Sequence, residues 1–416
     1  MKHTSVAPTA SACSYCGKCR SVCPTFLEEK NETLVARGRI RLAQGFEAGE
    51  LKATANLKKT LATCLVCMRC QEYCPNQVDI EAIIVPAREA LNNRLKKSLL
   101  EDFIFKYIIS RRRPLIAAAK AMGLTRKTVD AVRLTKAYRK VLTLMNVDPK
   151  RRLPVFQTRT LYDRFPEIIS APGNTRRVVY FPGCSASLSL ISLGSAAIRS
   201  LVRNGTDVIL PRIPCCGMPV YISGDPVTAE KMAQQNLDQL NAFGADVVVT
   251  ACGSCGYMLG AQYKKMLGDS APKFKVMDIS EYLLETGLKP GDTPVPLTAT
   301  YHDPCHLRRG MKVTEAPRQL LQSVPGIAFT EMTDADACCG SGGSFSLKYY
   351  DLSKKIRSQK MNMFQRTQAR VLATGCPACI LHLEDGMAER ALDAVVCHPV
   401  ELLARTYAEK EDGNHV

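Results

Sequence analysis

Cysteine is the residue type here whose number and spacing point to chemistry. The chain has nineteen cysteines, and eighteen of them fall into ordered groups of two kinds. Residues 13–24 read Cys-Ser-Tyr-Cys-Gly-Lys-Cys-Arg-Ser-Val-Cys-Pro, and residues 64–75 read Cys-Leu-Val-Cys-Met-Arg-Cys-Gln-Glu-Tyr-Cys-Pro. Both follow the spacing C-x2-C-x2-C-x3-C-P. Further on, Cys184, Cys215-Cys216-Gly217 and Cys252-Gly-Ser-Cys255 form a five-cysteine set. The same order returns as Cys305, Cys338-Cys339-Gly340 and Cys376-Pro-Ala-Cys379, offset by 121, 123 and 124 positions. Such a constellation at a near-constant offset marks an internal duplication. Adjacent cysteines seldom pair with each other because the vicinal disulfide is strained, so thiols in this order suit metal ligation or redox chemistry.

Composition separates a metal-binding chain from a disulfide scaffold. With 416 residues, two to four domains are expected. An apolar fraction of 46% marks a globular chain. Disulfide scaffolds are typically chains of under about 80 residues. The first ten residues hold no apolar run long enough for a signal peptide, and no stretch approaches the roughly 20 apolar residues of a membrane span. The thiols are therefore expected to be reduced and metal-bound inside a cell.

The spacing C-x2-C-x2-C-x3-C-P is that of bacterial ferredoxins, whose thiolates hold [4Fe–4S] clusters and whose fourth cysteine serves the other cluster. It predicts one cubane cluster on Cys13, Cys16, Cys19 and Cys74, and a second on Cys64, Cys67, Cys70 and Cys23. Zinc sites are the alternative, but zinc pairs need neither the third and fourth spacings nor the proline. The proline suits a first helical turn after each fourth cysteine. The insert between the runs is patterned as helix around Arg39–Phe46 and Leu51–Leu61. Arg37 and Arg39 either place positive charge near a cluster or end a solvated helix.

A helix is expected from Ile80, capped by Asp79 and kinked or broken at Pro86. Ser98-Leu-Leu-Glu101 reads as a capping box opening Phe103–Ile109. The formal charge is +17, and residues 91–153 alone carry seventeen Lys or Arg against four acids. Apolar residues interleave with this charge, which suits an anionic membrane surface or an acidic partner subunit. A helix pair packed on its own protein fits equally. No nucleic-acid motif accompanies the charge. Asn146–Asn174 reads as linker. Beyond it, strands at Val178–Phe181, Asp207–Leu210 and Asp246–Val249 alternate with helices near 188–203 and 226–243, and deliver cysteines at strand ends. The second repeat re-runs the pattern with strands to Tyr301, Ile327–Met332 and Arg370–Thr374 and helices at 316–323 and 352–366. Cys397 matches Met277 and is read as a buried spectator.

The expected fold is multi-domain α+β, with a mostly helical two-cluster ferredoxin module followed by two tandem α/β CCG repeats. The domains are residues 1–97, a basic helical connector and linker at 98–175, and repeats at 176–290 and 291–416. From the ferredoxin runs through both CCG repeats, the chain resembles a family of two-module iron–sulfur subunits. That family includes the iron–sulfur subunits of glycolate, D-lactate and anaerobic glycerol-3-phosphate dehydrogenases, and the catalytic subunit of membrane-type heterodisulfide reductase. The resemblance implies one or two further [4Fe–4S] clusters, of non-cubane type. One would sit on Cys184, Cys215, Cys216, Cys252 and Cys255, its twin on Cys305, Cys338, Cys339, Cys376 and Cys379.

The resemblance also implies electron transfer from an FAD-containing partner subunit toward quinone or another acceptor. The expected location is the cytoplasm, peripheral on the inner face of the cytoplasmic membrane or on a membrane subunit, without nucleic acid. Disulfide reduction by this chain itself is the alternative. His302 and His306 flank Cys305 as candidate proton donors, or are structural. Gly340-Ser-Gly-Gly-Ser344 fails the dinucleotide fingerprint and lets backbone pass close to a cluster.

Overall fold

The computed structural model describes residues 7–95, 99–124, 140, 154–173, 176–244 and 246–407. Most of the basic segment beyond Leu124, and Ser98 of the expected capping box, lie outside them.

Residues 7–95 contain helices and no strand among the described residues, as the patterning implies. The two cysteine runs take the same backbone path. Tyr15 and Gly17 in the first have φ of 54° and 85°, and the matching Val66 and Met68 have 50° and 58°. A β-branched residue with positive φ is costly, so the second loop keeps its shape against the preference of its own residues. Pro24 opens the helix Pro24–Glu29 directly after Cys23. Pro75 does not do the same: residues after Cys74 form turns, and the next helix begins at Ile80. Asp79 caps that helix, accepting from the Glu81 and Ala82 amides at 3.1 Å each.

The expected break at Pro86 is absent, and the helix runs Ile80–Arg94. An internal proline costs about 3 kcal/mol. Ile83, Ile84 and Leu91 on the same helix are wholly buried, each contributing about 1.5–3 kcal/mol, and that burial outweighs the lost bond.

The first repeat holds a five-stranded sheet in the order β1-β3-β2-β4-β5. Its strands are β1 (Ile168–Ile169), β2 (Arg176–Tyr180), β3 (Thr206–Ile209), β4 (Val247–Thr250) and β5 (Lys275–Asp278). β1 comes from the segment read as linker and pairs antiparallel with β3, while the other pairs are parallel. The second repeat holds β6 (Leu297–His302), β7 (Ile327–Phe329), β8 (Val371–Thr374) and β9 (Val395–Cys397) in the order β7-β6-β8-β9, all parallel. The order 3-2-4-5 is thus repeated as 7-6-8-9. Val249 pairs with Met277 and Ala373 with Cys397, so Cys397 takes the place of Met277 and is buried in the sheet.

The repeats pack on each other in a reciprocal way, as the halves of a two-fold dimer would. The helix Ile191–Arg203 packs on Pro399–Arg405, and Ile279–Glu285 packs on Ala316–Ser323. One continuous apolar core runs through both repeats and takes in Met68 of the ferredoxin module.

Asp278 ends β5 and caps the helix Ile279–Glu285, accepting from the Ser280 amide at 2.8 Å, while its other oxygen is buried without a partner. Burial pushes its carboxyl up to about 7. Between its ordinary range and that value the folded chain binds a proton the unfolded chain does not, so stability falls as pH rises from about 4 to about 7. Asp278→Asn keeps the capping oxygen and removes the titration. Its melting temperature should exceed that of the native chain by roughly 2–4 °C at about pH 8, with the gap closing as pH is lowered toward 5. A gap independent of pH contradicts the assignment.

Candidate metal centres

The ferredoxin module encloses two adjoining small cavities. Cys13, Cys16, Cys19 and Cys74 line one, and Cys23, Cys64 and Cys67 line the other. Cys70 borders both. The structure thus brings together each foursome that the run spacing predicts, including the exchanged Cys74 and Cys23. Arg39 is buried beside the second cavity. It donates to the Thr25 and Thr63 hydroxyls at 3.1 and 3.2 Å, and lies 4.0 Å from the Cys23 sulfur. Its charge therefore faces sulfur, and Arg37, paired with Glu32 at 2.9 Å, lines the first cavity.

In the repeats the cysteines sit where parallel strands end. Cys252 and Cys376 have matching extended backbones, φ −145° and −149°, and each stands at the N-terminus of a helix, Gly253–Tyr257 and Pro377–Glu389. Cys255 and Cys379 then occupy first helical turns. The glycine of each CCG triplet has a left-handed backbone, φ 92° at Gly217 and 90° at Gly340. A side chain at Gly340 would also meet the Ser353 carbonyl at 2.7 Å. That turn aims the second cysteine at the second cysteine of the C-x-x-C pair. The Cys339 and Cys379 sulfurs are 3.3 Å apart, and Cys216 neighbours Cys255 in the first repeat.

The sulfur sets neighbour one another. Cys376 lies near Cys252 across the seam between the repeats, and that neighbouring thiol lowers its own. Cys338 of the second repeat, beside Cys67 of the ferredoxin module, pushes the Cys67 thiol down to about 6. Cys216 is pushed down to about 6 by Cys215 and Cys255. Cys339 and Cys376 are lowered by their thiol neighbours too, while Cys338, Cys379, Cys252 and Cys255 are raised as the proton-keeping partners. Burial raises Cys70 and Cys305. Metal binding here displaces protons from many buried thiols and supplies the positive charge that their desolvation calls for.

His302 and His306 are both buried. His302 Nδ1 lies 3.0 Å from the Ala335 carbonyl, and a ring nitrogen of His302 lies within 4.8 Å of the Cys339 and Cys379 sulfurs. His306 Nδ1 lies 3.0 Å from Ser254 Oγ, which in turn is 3.7 Å from the Cys376 sulfur. Both histidines therefore face sulfur rather than an open cleft. Sequence reasoning does not single out Ser254, although its place inside Cys252-Gly-Ser-Cys255 is a signal. Arg88 carries none. It is buried and donates to the carbonyls of Leu61, Ala62, Cys64 and Ile222, tying the second cysteine loop to the first repeat.

The residues fit iron–sulfur groups. Each ferredoxin cavity offers four thiols and each repeat five. Two buried polar atoms at these sulfurs, the Tyr180 hydroxyl and His306 Nε2, have no protein partner. Tyr180 ends β2 within the electrostatic reach of Cys252 and Cys255, and His306 reaches Cys376 through Ser254.

Comparison with known proteins agrees with this chemistry. The 4Fe-4S dicluster domain family matches residues 9–78, and the cysteine-rich domain family matches residues 178–260 and 299–384. The probable glycolate oxidase iron–sulfur subunit of Bacillus subtilis is 29% identical over 96% of this chain and 94% of its own length. Lactate utilization protein A of Oceanobacillus iheyensis is 31% identical over 55% of this chain and 96% of its own. One subunit of the dihydromethanophenazine:CoB–CoM heterodisulfide reductase of Methanosarcina barkeri is 32% identical, with 55% and 58% covered. With its dicluster domain followed by two cysteine-rich domains, the chain belongs to this family of oxidoreductase iron–sulfur subunits.

Proposed function

We propose that the chain is the electron-transferring subunit of a flavin-linked dehydrogenase complex. An FAD-containing partner oxidises a small 2-hydroxy acid, glycolate or D-lactate, and the electrons pass through this chain toward quinone or another acceptor. The observation that carries this reading is the clustering of the buried sulfurs. Cys339 and Cys379 are 3.3 Å apart, Cys338 neighbours Cys67 of the ferredoxin module, and Cys252 neighbours Cys376. Iron–sulfur groups, when bound, supply one-electron transfer without proton or hydride chemistry. Two cubane clusters on the eight ferredoxin cysteines, and two further clusters on the ten CCG cysteines, are the loading this reading assigns. The protein's own part is to gather the sulfurs, bury them and set positive charge, through Arg39 and Arg88, beside the second ferredoxin cavity.

A peripheral position on the inner face of the cytoplasmic membrane draws support from the connector. No helix among the described residues is long and apolar enough to cross a membrane. Yet Leu99, Phe103 and Tyr107, four residues apart, are 88%, 51% and 47% exposed. Arg111 stacks over the Tyr107 ring at 5.2 Å. An apolar stripe beside a run of arginines suits an anionic interface.

A second reading makes the chain the catalyst of disulfide reduction. What favours it is that both five-cysteine sets are complete and meet at one seam, through Cys252 and Cys376. Anaerobic purification of the native complex separates the two. A co-purifying FAD protein that oxidises lactate or glycolate supports the first reading, and disulfide reduction by the isolated chain supports the second.

Cys339→Ser should remove one slowly relaxing paramagnetic signal of the reduced protein and leave the ferredoxin-type signals in place. Simultaneous loss of all signals contradicts separate centres. The triple variant Arg111→Gln, Arg112→Gln, Arg113→Gln should bind anionic vesicles on the order of 100-fold more weakly, at about 1 kcal/mol per charge. Unchanged vesicle binding with weakened partner affinity moves the segment to subunit docking.

A further inference from the structure

A cavity of about 300 Å³ lies where the ferredoxin module, the connector and both repeats meet, and Cys64 is in its wall. We propose that this cavity binds a quinone-class electron acceptor, a neutral apolar ring with hydrogen-bonding oxygens. The inference rests on the electron-transfer reading above and adds the place at which electrons leave the chain.

Size, polarity and position each narrow the occupant. Small-molecule sites span about 300–1,000 Å³, so this one takes a ring rather than a dinucleotide. Leu65, Leu91, Phe105, Ile222 and Phe345 supply apolar walls. The charges around it are mixed, with Lys58, Lys59, Arg88 and Lys348 set against Glu101, Asp102 and Asp225. Lys348 pairs with Glu101 at 2.6 Å, Lys106 pairs with Asp102 at 2.8 Å, and Arg88 is engaged with backbone carbonyls. With most of these charges already engaged, the lining is a poor fit to a phosphate or carboxylate ligand. The Tyr349 hydroxyl is left as a donor in reach of the space, the Asn92 amide being spent on the Ser223 and Gly224 carbonyls.

Cys64 belongs to the second ferredoxin foursome, so a ring seated here lies against a sulfur of the electron path. The acceptor gains two electrons, one at a time from the reduced protein, and two protons from water at the mouth, and leaves as the quinol.

The covering strap explains how a lipophilic ring would arrive. Glu101, Asp102 and Phe105 line the cavity, while Leu99, Phe103 and Tyr107 of the same strap, Leu99–Phe103 and Ile104–Ile109, are exposed. One short segment therefore faces the cavity on one side and presents apolar side chains outward on the other.

The test uses the iron-loaded full chain, kept anaerobic, with a photoreactive azido-quinone bearing a short tail. Label should fall on peptides containing Phe105 and Tyr349 and be displaced by excess unlabelled quinone. Ala62→Phe, which projects a ring into the cavity, should cut labelling about tenfold with iron and labile sulfide unchanged. If that variant fails to load iron, Ser344→Leu from the opposite wall is read in the same way. Label elsewhere, or label indifferent to competitor, overturns the proposal. Quinone reduction by the native complex without labelling here removes this cavity but keeps the electron-transfer reading. Competed labelling here in a complex that reduces no quinone upholds the binding site and overturns that reading.

Discussion

The Gly253 amide donates to the Gly375 carbonyl at 3.0 Å, and the arrangement of the paired repeats depends on that contact. Both residues directly neighbour a cysteine, Cys252 and Cys376. A side chain at Gly253 would meet Leu307 at 2.6 Å, and one at Gly375 would meet Leu307 at 2.7 Å. Glycine at both positions leaves the room that Leu307 fills against this contact. The closure brings the N-termini of two helices and their cysteines together, so the duplicated halves set their two cysteine sites along one seam.

Charge fastens the ferredoxin module to that seam. Arg69, inside the second cysteine run, donates to Asp336 at 3.0 Å and Asp334 at 3.4 Å, two and four residues before Cys338. Arg309 bridges Asp336 at 2.5 Å and Glu72 at 2.7 Å. Arg69 and Arg309 are mostly buried, where ion pairs are costly to form but also costly to break. They fix which faces meet, and so hold Cys67 against Cys338. Lys360 extends the clamp, donating to the Asp334 and Ala335 carbonyls from a buried position in which desolvation brings its amine down to about 8.

Much of this was legible because cysteine spacing and strand patterning are local. The C-x2-C-x2-C-x3-C-P runs predicted the exchange of Cys23 and Cys74 between clusters, and the offset of the CCG sets predicted a duplication in which the strand–helix pattern is run twice. What escaped was non-local or overridden by packing. Nothing near Pro86 says that its helix face will be buried deeply enough to carry the helix through. β1 is two residues long and forms only because β3 offers an edge. The contact of Cys67 with Cys338 joins residues far apart in the chain, and Arg88 looks in sequence like any arginine on an amphipathic helix. His302 and His306 were found by their place beside Cys305, but only the structure turns them toward sulfur.

The central claim is that eighteen thiols seat iron–sulfur groups in four contiguous places. Iron and acid-labile sulfide, measured together on the anaerobically purified chain, test it most directly. The account predicts on the order of 16 irons per chain with matching sulfide. Zinc in the cysteine sites with no labile sulfide would contradict it.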